Sequence, residues 1–190
     1  MNSDNLIKYT IIGFLVLFGI KAMFSGDMFH SDQNTGNGYS IKFPKGWAKN
    51  EQLSSPNKYR PADEPQIITY STPELNPKTN TPVADITILT VKPKQAMWIE
   101  DDIEDILNQI LRQRNKILDK GEIKIDKRIC KWVLYQSPKP YNMLNFDFYT
   151  VDDSNVLFKL QYSADPKNFQ TYRADFEAAK ESLKFSHFSI

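Results

Sequence analysis

The stretch GYSIKFPKGW, residues Gly38–Trp47, is the clearest indication of fold in this chain. Apolar and polar residues alternate in its first half, which puts Tyr39, Ile41 and Phe43 on one face of a predicted strand. A proline and a glycine then turn the chain before the tryptophan. We therefore predict that a folded domain begins at Tyr39 and that Trp47 packs in its core or at the edge of the core.

Further strands are predicted downstream, wherever β-branched and aromatic residues follow one another between turn-forming residues. They are 66–71, 83–91, 122–126, 129–137, 141–151 and 156–163. The segments 122–126 and 129–137 form either two strands or one bent strand. Residues 83–91 are apolar on both faces, which is typical of a strand that is covered on both sides. Asp152–Asn155 has the composition of a hairpin loop between the last two strands.

Two helices are predicted from apolar residues that recur every three or four positions. The first extends from Ile99 to Gly121, where the glycine is suited to follow a helix end. The second begins at Asp165, an N-cap residue before Pro166, and continues to Leu183. Strands joined by short loops favour an antiparallel sheet. The predicted fold is α+β, a three-layer α/β/α sandwich with a mainly antiparallel central sheet.

The N-terminus has the properties of a membrane anchor. Tyr9–Ile20 carries no charge and lies between Lys8 and Lys21. As an α-helix, Leu6–Phe24 would extend roughly 28 Å, about the thickness of a hydrocarbon core. Small residues do not stand in the pattern that a cleaved signal needs. We predict that residues 1–24 form one transmembrane helix or an uncleaved signal, and a cleaved secretion signal is the alternative.

The anchor is followed by residues 25–38, which are rich in Gly, Asn, Asp and Ser and are predicted to form a flexible tether. Residues 39–190 are assigned to the soluble domain. The distribution of charge around the anchor slightly favours a cytoplasmic N-terminus. The soluble domain is then expected to be extracytoplasmic, in a periplasm, a lumen or outside the cell.

Composition and charge argue against two classes of protein, the intrinsically disordered and the nucleic-acid-binding. Hydrophobic residues make up 41% and charged residues 25%, so a globular core is expected. The formal net charge of +1 gives no electrostatic argument for nucleic-acid binding. The single cysteine, Cys130, cannot form an intrachain disulfide and is predicted to be a buried structural thiol.

The sequence predicts no catalytic residue, no metal site and no cofactor. The acids at Glu100–Asp105 complement a helix dipole and do not form a calcium-binding loop. His30 and His187 have no further ligand at a metal-binding spacing, and Asp152 and Asp153 are ordinary turn residues. A nucleophile elbow, a phosphate-binding glycine loop and a Cys–His pair are all missing from the sequence.

Aromatic residues near prolines give one candidate for a partner-binding surface. They are Tyr59, Trp132, Tyr135 and Tyr141. Exposed aromatic residues are enriched at protein interfaces. Sheets are also rich in aromatic residues, so packing within the domain is the alternative for each of them.

The opening YSIKFPKGW (Tyr39–Trp47) and the ending FEAAKESLKF (Phe176–Phe185) resemble the PsbP-like family. This family includes the PsbP extrinsic proteins of photosystem II and the bacterial DcrB-like envelope proteins. The resemblance implies an α/β/α sandwich that binds proteins and has no catalysis of its own. It supplies no catalytic residues to carry over.

These observations together predict a membrane-anchored, extracytoplasmic accessory module. Such a module would bind an unidentified membrane or envelope protein, support its assembly and catalyse no reaction. One alternative is an envelope protein that binds a small ligand or a metal. A third is an enzyme of a type that the sequence does not identify.

Overall fold

The computed structural model describes residues 29–32, 38–54 and 65–185. The predicted anchor at residues 1–24, Tyr59 and His187 lie outside this part of the chain. The strands are β1 (Phe29–Asp32), β2 (Tyr39–Pro44), β3 (Ala48–Lys49), β4 (Gln66–Ser71), β5 (Ala84–Val91), β6 (Lys116–Ile125), β7 (Arg128–Gln136), β8 (Leu144–Val151), β9 (Leu157–Ala164) and β10 (Lys184–Phe185). The helices of the described part are α1 (Ile99–Arg112) and α2 (Arg173–Ser182).

The main sheet has seven strands in the order β3-β4-β5-β9-β8-β7-β6. Every pair of neighbouring strands in it is antiparallel, which confirms the predicted sheet. Short hairpins connect β6 to β7 and β8 to β9, so residues 122–126 and 129–137 belong to two strands. The hairpin predicted at Asp152–Asn155 is confirmed, because the Asp152 carboxylate accepts the backbone N–H groups of Ser154 and Val156.

The two helices pack on opposite faces of this sheet, as alternate residues of β7 demonstrate. Val133 and Tyr135 belong to the apolar cluster under α1. Cys130 and the partly buried Trp132 point the other way, into the larger cluster that contains Phe176 of α2. Successive side chains of a strand point to opposite faces, so the sheet lies between the helices. The architecture is therefore a layer of sheet with one helix on each side.

A small sheet of order β1-β2-β10 completes the α2 side of the core. Tyr39, Ile41 and Phe43 of β2 are all buried there, as their alternation predicts. The ring of Phe43 stacks on Tyr70 of the main sheet with centroids 3.9 Å apart. Trp47 is buried as predicted, and its indole Nε1 donates a hydrogen bond of 3.2 Å to Asp175.

The predicted end of the first helix is wrong. Helix α1 stops at Arg112, and Arg114 has a positive φ of 62° that breaks the helical path. Lys116–Ile125 is strand β6, the edge strand beside β7. The error arose because Ile117 and Leu118 continue the spacing of the helix and because Gly121 looks like a residue that ends one.

Two other boundaries differ from prediction. Helix α2 begins at Arg173, because residues 166–172 form consecutive turns. Asp165 still caps this turn segment, since its carboxylate accepts the N–H of Lys167. Within the predicted tether, residues Phe29–Asp32 form strand β1, paired with β2. The remaining residues of the tether before Gly38 lie outside the described part.

Within the described residues, neither α1 nor α2 has the length and the apolar composition of a membrane-spanning helix.

Candidate functional site

The aromatic residues proposed as a partner surface do not lie together. Trp132 packs against the core on the α2 face of the sheet. Tyr135 is buried on the opposite face, under α1. Tyr141 lies in the loop between β7 and β8, where it is 76% exposed. Of the described members of the group, only Tyr141 offers a large surface to a partner.

Tyr135 belongs instead to a buried polar network around Asp147, in the middle of β8. The carboxylate oxygen Oδ2 of Asp147 accepts hydrogen bonds from the hydroxyls of Tyr149, at 2.6 Å, and Tyr135, at 3.2 Å. The ammonium group of Lys159 lies 2.8 Å from the same oxygen. The amide of Gln161 in turn donates to the Tyr135 hydroxyl at 3.1 Å. Three neighbouring strands thus direct polar groups to one carboxylate.

This carboxylate is fully buried yet incompletely satisfied. Asp147 is 0% exposed, and no described residue donates to its second oxygen, Oδ1. A buried charge is tolerated when it is paired and hydrogen-bonded, which Lys159 and the two phenols accomplish on one side. Burial raises the pKa of Tyr149 and of Tyr135 well above the ordinary tyrosine value, and the negative charge of Asp147 raises both further. The phenols therefore remain proton donors.

The same face of the sheet is polar beyond the network, on β4 and β5. The hydroxyl of Ser71 donates to the carboxylate of Asp85 and accepts from the amide of Asn50, at 3.0 Å. Thr69 and Thr87 share a hydrogen bond of 3.0 Å between their hydroxyls. Burial raises the pKa of Asp85, and the hydrogen bond from Ser71 opposes this shift. We call these residues, together with Gln161 and Lys159, the polar half of the sheet.

The polar half is only partly covered. Helix α1 packs mainly on β6, β7 and β8, away from β4 and β5. Asp85, Thr87, Lys159 and Gln161 all retain partial exposure. Hydroxyl, amide, carboxylate and ammonium groups together could hydrogen-bond a small polar molecule. Such groups are suited to recognising a polar ligand.

The other candidates considered in the sequence occupy ordinary structural positions. Among the described residues no group of three or more His, Cys, Asp and Glu side chains could hold a metal ion. Cys130 is buried, and burial raises the pKa of its thiol to about 11, which keeps it protonated and unreactive. Asp102, in the acidic first turns of α1, accepts the backbone N–H of Trp98, the residue before the helix, at 2.6 Å.

Sequence reasoning missed the network around Asp147. One signal was available, because the strand LNFDFYTV places a single acid between two phenylalanines. An acid in an apolar strand needs a partner when buried. Tyr149 follows two residues later in the same strand, but Lys159 and Tyr135 lie in strands that only the sheet order brings beside Asp147, and the sequence does not specify that order.

The fold was compared with known proteins. No protein-family profile and no curated protein matches the chain. Cyanobacterial PsbP (CyanoP) from Synechocystis sp. PCC 6803 aligns with a TM-score of 0.59 and 10% identity, over 85% of this chain and 95% of its own. PA94 from Pseudomonas aeruginosa, a protein of unknown function, aligns with a TM-score of 0.55 and 11% identity, over 81% of this chain and 94% of its own.

LpqN of Mycobacterium tuberculosis, which is involved in cell envelope biogenesis, aligns with a TM-score of 0.45 and 13% identity, over 85% of this chain and 87% of its own. At such low identity, the likeness to CyanoP and PA94 concerns the fold alone. The described domain has a PsbP-like fold.

Proposed function

We propose that this protein is a membrane-anchored, extracytoplasmic accessory module that binds and supports a membrane or envelope protein assembly without catalysing a reaction. The observation that carries the proposal is the uncharged segment Tyr9–Ile20, between Lys8 and Lys21, ahead of a PsbP-like domain. As a helix, the longer stretch Leu6–Phe24 that contains it would extend roughly 28 Å, which is enough to cross a hydrocarbon core. The positive-inside rule slightly favours an extracytoplasmic domain.

Two exposed aromatic residues offer surfaces to a partner. Tyr141 was part of the predicted surface, and Trp98, which precedes α1, is 68% exposed. Tyrosine and tryptophan are common among residues that contribute strongly to binding. Trp98 lies at the opposite end of the sheet from Tyr141, because one precedes α1 and the other lies in the β7–β8 loop. The two residues therefore mark separate contact regions.

The anchor is tested by membrane fractionation of the full chain. We expect the protein to resist carbonate extraction and a tag at Ile190 to be accessible only from the extracytoplasmic side. A variant with Leu15→Arg and Val16→Arg should leave the membrane fraction, because charges at the helix centre oppose insertion. Recovery of the unchanged chain in a soluble cytoplasmic fraction would refute the proposal.

The partner is tested by photo-crosslinking in intact membranes. A photoreactive amino acid is placed at Trp98 or Tyr141, and at exposed Lys124 on β6 as the matched control. A defined protein adduct from Trp98 or Tyr141, missing at Lys124, supports a partner-binding module. An equal set of adducts at all three positions indicates random contact and contradicts the proposal.

A second candidate function is the binding of a small polar ligand. It is favoured by the polar half of the sheet, where Asp85, Thr87, Lys159 and Gln161 are partly exposed on one face. Native mass spectrometry of the intact chain, released from nanodiscs, tests it. A bound species that disappears in a Thr87→Val and Gln161→Leu variant supports this function, and a spectrum without adducts counts against it.

A further inference from the structure

We propose that one end of the domain lies against the bilayer and that its basic side chains contact anionic lipid headgroups. This end carries the turn at Lys45–Gly46, between β2 and β3. The inference rests on the proposed anchor and adds an orientation to it. It follows from where the chain enters the domain and from the charges that surround that point.

The entry point is defined by the pairing of β1. Phe29, its first residue, lies opposite Pro44 at the end of β2. The predicted anchor ends at Phe24, only five residues earlier. Even a fully extended chain spans no more than about 18 Å over that interval. The end of the domain at Pro44 must therefore remain close to the membrane surface.

Several loops share this end of the molecule. At this end of the main sheet, one residue from each of five neighbouring strands lies beside the next: Ala84, Ala164, Leu144, Gln136 and Lys116. The loops at the same end of the sheet are 72–82, 113–115, 137–143 and 165–172.

Side chains connect the β2–β3 turn to these loops. Trp47, just after the turn, donates a hydrogen bond to Asp175 of α2. Tyr172, immediately before α2, donates to Glu74 in the loop 72–82, at 2.6 Å. The chain entry point and the loops are thus parts of one surface.

We call this surface the basic end, because lysines and arginines dominate it. Its basic residues are Lys45, Lys78, Arg112, Arg114, Lys116, Lys139 and Lys167. All are exposed, and none of them forms an ion pair with another described residue. Exposed basic groups close to a bilayer are attracted by the negative potential of anionic lipids.

Acids are fewer at the basic end, and neutral donors hold them. Glu74 accepts from the hydroxyl of Tyr172, and Asp165 accepts from the amide of Asn76, at 2.9 Å. Asp175 accepts from the Trp47 indole. These three carboxylates and Asp85, which follows Ala84 at the same end, are fewer than the seven basic residues, so this end carries an excess of positive charge.

Exposed aromatic and apolar groups accompany the charges. Tyr141, at 76% exposure, lies in the loop 137–143, and Leu75, at 47%, lies in the loop 72–82. Tyrosine is favoured at the level of lipid headgroups because its ring is apolar and its hydroxyl is polar. This combination fits a bilayer interface better than it fits bulk water.

The opposite end of the sheet is of mixed charge, because the exposed lysines Lys92, Lys94 and Lys127 lie there beside several acids. It carries the acidic first turns of α1, with Glu100 and Asp101, and the hairpin acids Asp152 and Asp153. Trp98 is also exposed there. With the basic end on lipid, Tyr141 contacts headgroups in place of a protein, and the end with Trp98 faces away from the membrane and remains open to the protein partner.

Depth-dependent fluorescence quenching of the full chain tests this orientation. The chain, carrying Cys130→Ala, is reconstituted in nanodiscs of phosphatidylcholine and phosphatidylglycerol with a headgroup nitroxide. A fluorophore is attached through Tyr141→Cys or, in a second sample, through Trp98→Cys. We expect strong quenching at position 141 and little at position 98, and loss of this difference in pure phosphatidylcholine.

Charge reversal provides the matched comparison. The variant Lys78→Glu, Lys139→Glu and Lys167→Glu should lose the quenching at position 141. The control Lys92→Glu, Lys94→Glu and Lys127→Glu makes the same charge change on exposed lysines away from the basic end and should keep it. Circular dichroism establishes that both variants remain folded.

The outcomes separate the two proposals. If the chain is not retained in nanodiscs, the proposed anchor fails. If it is retained and the two positions are quenched equally, the anchor stands and the orientation is overturned. The orientation is also overturned if both charge-reversal variants lose quenching to the same extent, because the effect would then follow net charge and not the basic end.

Discussion

The indole ring of Trp132 lies so close to Gly121 that a β-carbon on the glycine would stand 2.6 Å from Cζ2 of the ring. The two residues are directly opposite on β6 and β7. The ring also makes an edge-to-face contact with Phe146, with centroids 5.5 Å apart. A glycine is needed at this position because the backbone of β6 must approach an aromatic ring that cannot easily move away.

The first prediction is that Gly121→Ala destabilises the domain. The added methyl group has to displace the indole or the edge strand, and such overpacking costs about 1–3 kcal/mol. The free energy of unfolding is measured by urea denaturation with tryptophan fluorescence. A variant as stable as the unchanged chain would contradict the close contact.

A double-mutant cycle provides the control. Trp132→Leu removes the ring and leaves space over residue 121. In that background Gly121→Ala should cost clearly less, because the alanine methyl group has no indole to displace. If Gly121→Ala costs the same with and without the indole, its effect comes from the strand and not from Trp132.

The contact between these residues also explains why the sequence predicted the first helix too long. Ile117 and Gly121 satisfy helical spacing and helix-end chemistry, and local patterns alone cannot reject them. The evidence that the helix ends earlier comes from a residue distant in sequence and from backbone geometry. It consists of the pairing of Gly121 with Trp132 and the positive φ of Arg114.

The sequence was more informative where one face of an element is buried throughout. The alternation in Tyr39–Phe43 predicted a buried strand face, because burial of one face imposes a period of two on the sequence of a strand. Trp47, just after this strand, was also predicted in the core.

The sequence was least informative for the polar network. Asp147 is visible in the sequence, yet Lys159 and Tyr135 become its partners only through the sheet order.

The second prediction concerns that network. Asp147→Asn leaves the Lys159 ammonium without its carboxylate in a buried site. Removing one member of a buried pair is strongly destabilising, and we expect a loss of roughly 2–4 kcal/mol, since Lys159 keeps some exposure to water. Chemical denaturation at neutral pH measures it.

The matched variant is Lys159→Met, which preserves the length of the side chain and removes its charge. Asp147→Asn should be less costly in this background, giving a coupling energy of about 1–3 kcal/mol. Strictly additive losses would mean that the ion pair contributes nothing beyond the two tyrosine hydrogen bonds.

The third prediction is loss of stability at alkaline pH. Burial raises the pKa of Tyr149 above the ordinary value of 10.0, and Asp147 adds to this shift. Above pH 10 the unfolded chain loses this proton and the folded chain keeps it, so stability falls as pH rises. Each such tyrosine contributes a slope of about 1.4 kcal/mol per pH unit.

Tyr149→Phe isolates the contribution of one phenol. The variant is expected to be less stable at neutral pH, because it loses a hydrogen bond to Asp147, and to lose stability less steeply above pH 10. Phe158→Leu, which removes no phenol from the core, should lower stability equally at every pH. A slope in Tyr149→Phe identical to that of the unchanged chain would show that Tyr149 ionises freely when folded.

The fourth prediction uses Asp85 to examine the polar half of the sheet. Burial raises the pKa of this carboxyl above 3.8, so folding favours its protonated form. Its charge therefore costs stability at pH 7, and the cost fades as pH falls through the folded pKa. Asp85→Asn should then be more stable than the unchanged chain at neutral pH, because it removes the charge while its amide oxygen still accepts from Ser71. At acidic pH, where Asp85 is itself protonated, the variant should have no such advantage. Urea denaturation at both pH values measures the difference.

A gain in stability at neutral pH would favour ligand binding at this face. A partly exposed carboxylate that is retained at a cost in stability is typical of a functional position. A loss of stability at neutral pH would instead mark Asp85 as a structural partner of Ser71 and weaken that candidate function.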